Sequence, residues 1–398
     1  MATLYRAKSI RLESGERFPL LVDRTTEVPV LDVIDFSLAY HRTISINSSK
    51  SRVGAIGLFL EWADDCLIDL DERFGTGELF TQAEIESLAF ALGRSKRRTI
   101  TVGDEVVAAN VLGDTQAARI DYVSRYIRWK ATGIAQAMPL HDGRVPLVNQ
   151  RLDQIEIQLR ALKRKGGGKR RLGLTEDQQV RLFQIVRPDS PENPFLAETR
   201  YRNFLLFLLY FELGIRRAEA LVLKAHHVQA HQNGRIVIEP NPHDPLDPRP
   251  NQPLVKTAGR TLPISTLLAQ TFHTYLTKHR SKVPGAKKSP FIFLDSREGR
   301  PLSLDSVYDM FVIVRQRYPE DFTADFSTHV LRHTWNDRFM EAASAAGLKD
   351  AFSKQINNYI MGWTKTSQQS VRYSQREIER QASRILVAMQ GQLEKAVA

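Results

Sequence analysis

From about residue 30 to residue 162, apolar positions recur with the spacing of helices that bury one side. Ser48 to Asp65 puts Val53, Ile56, Leu60 and Trp62 on one 3.6-residue face and ends in acidic residues. Thr81 with Glu84 three positions on predicts a capping box ahead of Ile85, Leu88 and Leu92. There the hydroxyl takes a first-turn amide, and the carboxylate takes the amide of the cap residue. Thr115 to Lys130 interleaves Ile120, Val123 and Ile127 with Arg119, Arg125, Arg128 and Lys130, with Tyr122, Tyr126 and Trp129 among them. One face of that helix can pack while the other presents cations. The first 25 or so residues alternate weakly in strand fashion and are expected to form an arm.

The second half begins with another capping box, Thr175 with Gln178, opening a helix through Leu182, Phe183 and Val186. Arg202 to Leu213 is a strongly apolar helix. Arg235 to Glu239 and Leu254 to Ile264 read as strands. Six prolines between Pro240 and Pro253 predict a stiff, extended excursion joining them. Helical patterning then resumes and continues to the end. Between the halves, Lys163 to Arg171 reads KRKGGGKRR, where three glycines supply flexibility and six cations forbid burial. The expected organisation is an arm over 1–30, a helical unit over 31–162, a linker over 163–173 and a second domain over 174–398. The last of these ends in an amphipathic helix over 376–398 that carries Ile378, Ala382, Ile385, Leu386, Met389 and Leu393.

Composition narrows the partners more than the fold. The chain of 398 residues is 42% hydrophobic and 25% charged, enough apolar material for two or three cores. Its net charge of +11 and pI of about 9.7 point to a polyanion, most commonly nucleic acid. Cys66 is the only cysteine, so neither an internal disulfide nor a cysteine-based zinc site can form. The longest apolar run, Phe204 to Phe211, is too short to span a bilayer, and the start lacks an apolar signal core. No membrane association and a cytoplasmic location are therefore expected.

Four segments of the second domain carry candidate chemistry. In LGIRRAEALVL, Arg216 and Glu219 fall at i, i+3, so the carboxylate can fix the guanidinium, while Arg217 points about 100° away. In VKTAGRTLPI, Lys256 precedes an Ala258-Gly259 turn, where a long amine can swing inward. In STHVLRHTW, His329, Arg332 and His333 share a helix face, with Ser327 or Thr328 as the expected cap. His329 and His333 also have metal-ligand spacing, but Arg332 between them would repel a cation, and His226, His227 and His231 lack supporting carboxylates. No metal and no cofactor is expected. The fourth segment, YIMGWTKTSQQSVRYS, turns at Gly362-Trp363 into a polar stretch that ends at Tyr373.

In this order the four segments resemble the tyrosine recombinase (phage integrase) family. Each motif is weak alone; the order makes them specific. The resemblance covers residues from about 174 to 375. It implies a mainly α fold with a small β-sheet, in which a helical core-binding (SAM-like) domain and an α-rich catalytic domain are joined by the basic glycine linker into a C-shaped DNA clamp. It further implies Tyr373 as the nucleophile and Arg216 and Arg332 as the guanidiniums on the phosphate. Lys256 would be the general acid and His329 would assist proton transfer, with Trp363 where most members have histidine, and with Glu219 and His333 in support. The motif around Trp363 is MGW where LGH is usual, and the gap to Tyr373 is one residue longer than is common. For DNA contact the expectation falls on Lys50, Arg52, Arg119, Arg125, Arg128, Lys163, Arg164, Lys165, Lys169, Arg170 and Arg171. The expected partner is double-stranded DNA held by a homotetramer on two sites, with the terminal helix exchanged between protomers and with a sister recombinase or a DNA-bending accessory protein as possible additions. The biological role implied is integration, excision or transposition of a mobile element. Single-site relatives of the type IB topoisomerase or telomere-resolving kind, and a non-catalytic DNA-binding relative, remain as alternatives.

Overall fold

The structure, a computed structural model, describes residues 4–40, 44–102, 105–139, 142–167, 172–231 and 234–363. The chain divides into two compact units, Met1–Lys169 and Arg170–Ala398. Both are mainly helical with small antiparallel sheets.

The first unit opens with a hairpin of β1 (Tyr5–Arg11) and β2 (Arg17–Asp23), followed by α1 (Leu31–Tyr40), α2 (Ile46–Asp65), α3 (Leu70–Thr76) and α4 (Gln82–Leu92). A second hairpin of β3 (Arg94–Val102) and β4 (Glu105–Asn110) leads into α5 (Gly113–Ala137) and α6 (Arg144–Ala161). Thr81 and Glu84 make the capping box the sequence predicts. Val53, Ile56, Ile85, Leu88, Ile120, Val123, Ile127 and Leu152 share one core with the aromatic rings of Phe36, Phe59, Trp62 and Tyr126. Residues 5–23, expected as an arm, form a hairpin packed on α2. Leu21 of β2 belongs to the unit's core, and Gly57 of α2 makes room for it, since a Cβ there would lie 2.9 Å from the Leu21 Cδ1.

The second unit contains α7 (Glu176–Val186), α8 (Ala197–Leu213), the short α9 (Arg217–Leu221), then β5 (Val228–Gln229), β6 (Arg235–Ile238) and β7 (Arg260–Pro263). It continues through α10 (Thr266–Thr274), α11 (Leu304–Arg317), α12 (Thr328–Ala345) and α13 (Asp350–Ile360). Thr175 and Gln178 form the predicted capping box of α7. The three strands pair antiparallel in the order β5-β6-β7. Leu205 to Tyr210 of α8 are buried on all sides, which is why this run lacks a polar face.

The proline-rich connection between β6 and β7 differs from the stiff excursion its composition predicts. Asp247 and Arg249 are buried and paired at 2.7 Å, and Arg249 also donates to the carbonyls of Leu302 and Leu221. Lys224 pairs with Asp244 at 2.8 Å. The prolines leave few amides to satisfy, and the charged residues supply the hydrogen bonds that fasten the loop to the body.

Candidate active site

The site grows from the end of α8. Gly214 closes that helix in the left-handed region at φ 59°, and a Cβ there would collide with the Trp335 ring at 2.7 Å. The chain then turns sharply, and Arg216 becomes the residue preceding α9. Its backbone amide donates to Glu219 Oε2 at 2.8 Å, and its guanidinium lies 3.6 Å from Glu219 Oε1. The i, i+3 relation read from the sequence is thus a capping contact at a helix start. Arg217 is directed elsewhere, donating to the Leu304 carbonyl at 3.1 Å.

Helix α12 carries His329, Arg332 and His333 at the predicted spacing. Ser327 occupies the cap position without a side-chain capping bond. His329 is exposed, His333 half-buried and Arg332 only 2% exposed. Burying a guanidinium demands partners. Arg332 donates to the Gly214 carbonyl at 2.5 Å and to the Met361 carbonyl at 3.3 Å, and its carbon centre lies 5.2 Å from the Trp363 ring centroid. Arg216 Nη1 also donates to the Met361 carbonyl, again at 3.3 Å. Two guanidiniums from opposite ends of the domain sequence therefore converge on one carbonyl oxygen.

That carbonyl belongs to the turn after α13. Gly362 is left-handed at φ 64°, and its amide and that of Trp363 close the helix end on Tyr359 and Asn358. Lys256 is exposed in the long connection ahead of β7 rather than in a tight hairpin. A cavity of about 380 Å³ is lined by Arg216, Glu219, Leu254, Lys256, Thr257 and Trp363, among others.

Sequence reasoning missed Arg260 and Thr257. Arg260, 1% exposed at its side chain, pairs with Glu219 at 2.9 Å, and Thr257 donates to the same carboxylate at 2.6 Å. Arg260 Nε donates to the Ile360 carbonyl at 2.6 Å. Burial pushes the Glu219 carboxyl up, but the Arg260 charge and the hydrogen bonds from Arg260, Thr257 and the Arg216 amide outweigh it and hold the group below its ordinary range. The available signal was a second cation four residues after Lys256, at the entry to a strand otherwise suited to burial.

The other expected positions divide. Arg125 and Lys165 are exposed. Lys50 is half-buried, and Arg52 lies over the Tyr122 ring at 5.0 Å. Arg119 donates to the carbonyls of Leu92 and Arg94, and Arg128 pairs with Asp153 and Glu156 of α6. Lys163 pairs with Asp121 at 2.6 Å, and Arg164 donates to Gln116 and to the Gly93 carbonyl. Much of the basic face of α5 is thus engaged within its own unit, because Tyr126 and the neighbouring rings turn the helix into the core. Tyr373, Lys169, Arg170, Arg171 and the helix expected over 376–398 lie outside the described residues.

Residues 173–376 match the phage integrase family, half of the chain. The chain belongs to that family, the tyrosine recombinases, and is a DNA strand transferase. Its fold is similar to that of the Tn1549 transposon integrase in complex with transposon right end DNA, at 14% identity and a TM-score of 0.52, covering 88% of this chain and 98% of that one. The same integrase in complex with a circular intermediate DNA matches at 13% identity and a TM-score of 0.54, again covering 88% and 98%. No curated protein sequence matches the chain.

Proposed function

We propose that this protein is a site-specific recombinase that cuts and rejoins double-stranded DNA through a 3′-phosphotyrosyl intermediate at Tyr373. The observation that carries the reading is the convergence of Arg216 and Arg332 on the Met361 carbonyl beside Lys256 and Trp363. Attack on a phosphodiester builds negative charge on the nonbridging oxygens. Two guanidiniums held at one point supply paired N–H donors to those oxygens, and a site already arranged needs no reorganisation when the charge develops.

In the forward step the Tyr373 oxygen bonds to phosphorus and the bond to the 5′-oxygen breaks. Lys256 gives the departing oxygen its proton, so a 5′-hydroxyl leaves, while His329 assists removal of the tyrosine proton. The phosphotyrosyl bond retains the energy of the broken one, so a 5′-hydroxyl from another strand can reverse the step without ATP. Trp363 has no titratable proton, and its ring forms a floor for Arg332.

Two such exchanges in a tetramer on paired sites pass through a Holliday junction. The reading extends to integration, excision or transposition of a mobile element, supported by the shared fold with a transposon integrase. Trapping on a nicked suicide duplex tests the chemistry. Wild type should form a covalent adduct and Tyr373→Phe none; an adduct with Tyr373→Phe removes the nucleophile assignment.

A further inference from the structure

The ladder between β6 and β7 stops early. Its last register pair is Ile238 with Arg260. Pro240 and Pro253, in the stretches that follow β6 and precede β7, have no amide hydrogen with which to carry it on. A side chain takes over there. Asn241 Oδ1 accepts from the Val255 amide at 2.8 Å, and Asn241 Nδ2 donates to the Pro253 carbonyl at 3.0 Å. One carboxamide thus serves an N–H and a C=O two residues apart on the same segment, as the backbone of a neighbouring strand would. Gln252 closes the clasp from the other side, its Nε2 donating to the Asn241 carbonyl at 3.0 Å. Gln252 and Val255 are both buried, where leaving such groups unpaired is costly.

The clasp lies one residue from Lys256. Val255, Lys256 and Thr257 alternate: Val255 and Thr257 are buried, while Lys256 is exposed at the cavity it shares with Arg216 and Trp363. Both neighbours of the lysine are tied, the Val255 amide to Asn241 and the Thr257 hydroxyl to Glu219. The Glu219 contact is shared with Arg216 and Arg260, whereas the Asn241 contact acts on the lysine's own segment. A lysine stem is flexible, so the place of its backbone decides where the ammonium can reach.

We propose that Asn241 is a positioning residue for the reaction, holding Lys256 where its ammonium meets the departing 5′-oxygen. This rests on the reading of Lys256 as general acid. The proton passes from the ammonium to the oxygen as the bond to phosphorus breaks, and Asn241 takes no part in that transfer. Its carboxamide fixes the backbone from which the donor extends.

The test is single-turnover adduct formation by the full chain on duplexes with oxygen or sulfur at the 5′-bridging position. A misplacement of about 1 Å can cost roughly 10²-fold in rate, so N241A is expected to cleave the oxygen substrate roughly 10- to 100-fold slower than wild type. A thiolate departs without a proton, so on the sulfur substrate N241A should approach the wild-type rate. In a K256A background, N241A should slow the oxygen substrate no further, because both substitutions remove the same contribution. N241D has nearly the same shape, keeps the acceptor for the Val255 amide and loses the donor to Pro253. It should show the same sulfur-rescued defect at a smaller size, and it decides the matter if thermal melting shows that N241A does not fold. Wild-type cleavage of the oxygen substrate by the folded variants overturns the proposal. So does a defect that persists with sulfur or adds to that of K256A. If K256A itself is not rescued by sulfur, the general-acid reading falls and the proposal with it, a result read without any substitution at Asn241.

Discussion

Arg260 grips both oxygens of the Glu219 carboxylate, at 2.9 and 3.2 Å, with each side chain only 1% exposed. The pair joins three segments that the sequence keeps far apart. Glu219 holds the Arg216 amide, Arg260 begins β7 just after Lys256, and the Arg260 Nε secures the Ile360 carbonyl next to the Gly362-Trp363 turn. Truncating one partner leaves a charge buried without its counterion, which costs about 3–5 kcal/mol. Arg260→Ala is expected to lose that much in urea denaturation. Arg260→Lys should fall between, because an ammonium restores charge without the two-pronged geometry. An unchanged unfolding midpoint for Arg260→Ala would remove the pair from its role as a fastening.

The same pair sets an acid dependence. The Glu219 carboxyl is held below its ordinary value of 4.5 in the folded chain. A depressed folded value means the unfolded state binds the proton more readily. The stabilisation is therefore complete above pH 4.5 and is lost as pH falls from there through the lower folded value. Unfolding free energies of wild type and Glu219→Gln, measured along a descending pH series, should converge below pH 4.5. A gap that stays constant with pH would mean that Glu219 does not titrate as described.

Gly362 tests the turn that presents the Met361 carbonyl. At φ 64° an L residue is strained, and a Cβ would lie 2.6 Å from Arg260 Nη1 and 2.7 Å from the Thr257 Cβ. Gly362→Ala is expected to destabilise the chain by about 1–3 kcal/mol and to slow strand cleavage further, since the displaced groups hold Glu219. Gly347→Ala serves as the comparison. Gly347 is also left-handed, at φ 68°, but an added Cβ there meets nothing within 4 Å. Melting temperature and single-turnover cleavage of the two variants separate backbone strain from damage at the site. Equal cleavage rates would argue against it.

Some of this was legible in the sequence for identifiable reasons. The capping boxes at Thr81 and Thr175 are local, so four residues suffice to read them. Arg216, Lys256, Arg332 and Trp363 were singled out because each sits in a short motif, and the structure brings Arg216, Lys256 and Trp363 to one cavity with Arg332 against Trp363. Arg260 was not legible, because its partners lie on three distant segments and an arginine beside a turn reads as solvated. The β3–β4 hairpin was hidden for a different reason. Its first half, RSKRR, shows neither a two-residue nor a 3.6-residue period, and its pairing is a bulge. The proline-rich loop was misjudged because composition reports stiffness but not where buried Arg249 finds its carbonyls.

Lys256 offers the sharpest test of the chemistry. A departing 5′-alkoxide needs a proton, and general acid catalysis of such a step contributes about 10²–10⁴ in rate. Lys256→Ala should therefore cleave an ordinary duplex slower by that factor. Replacing the 5′-bridging oxygen with sulfur changes the requirement, since a thiol with pKa about 8.5 departs as the anion without help. On that substrate Lys256→Ala is expected to approach the wild-type rate. Arg332→Ala should stay slow on both substrates, because its partners would be the nonbridging oxygens, which the sulfur leaves untouched. Single-turnover formation of the covalent adduct measures wild type and both variants on both substrates. If Lys256→Ala remains equally impaired with sulfur, the amine does not protonate the leaving group, and its place at the cavity wall serves DNA binding instead.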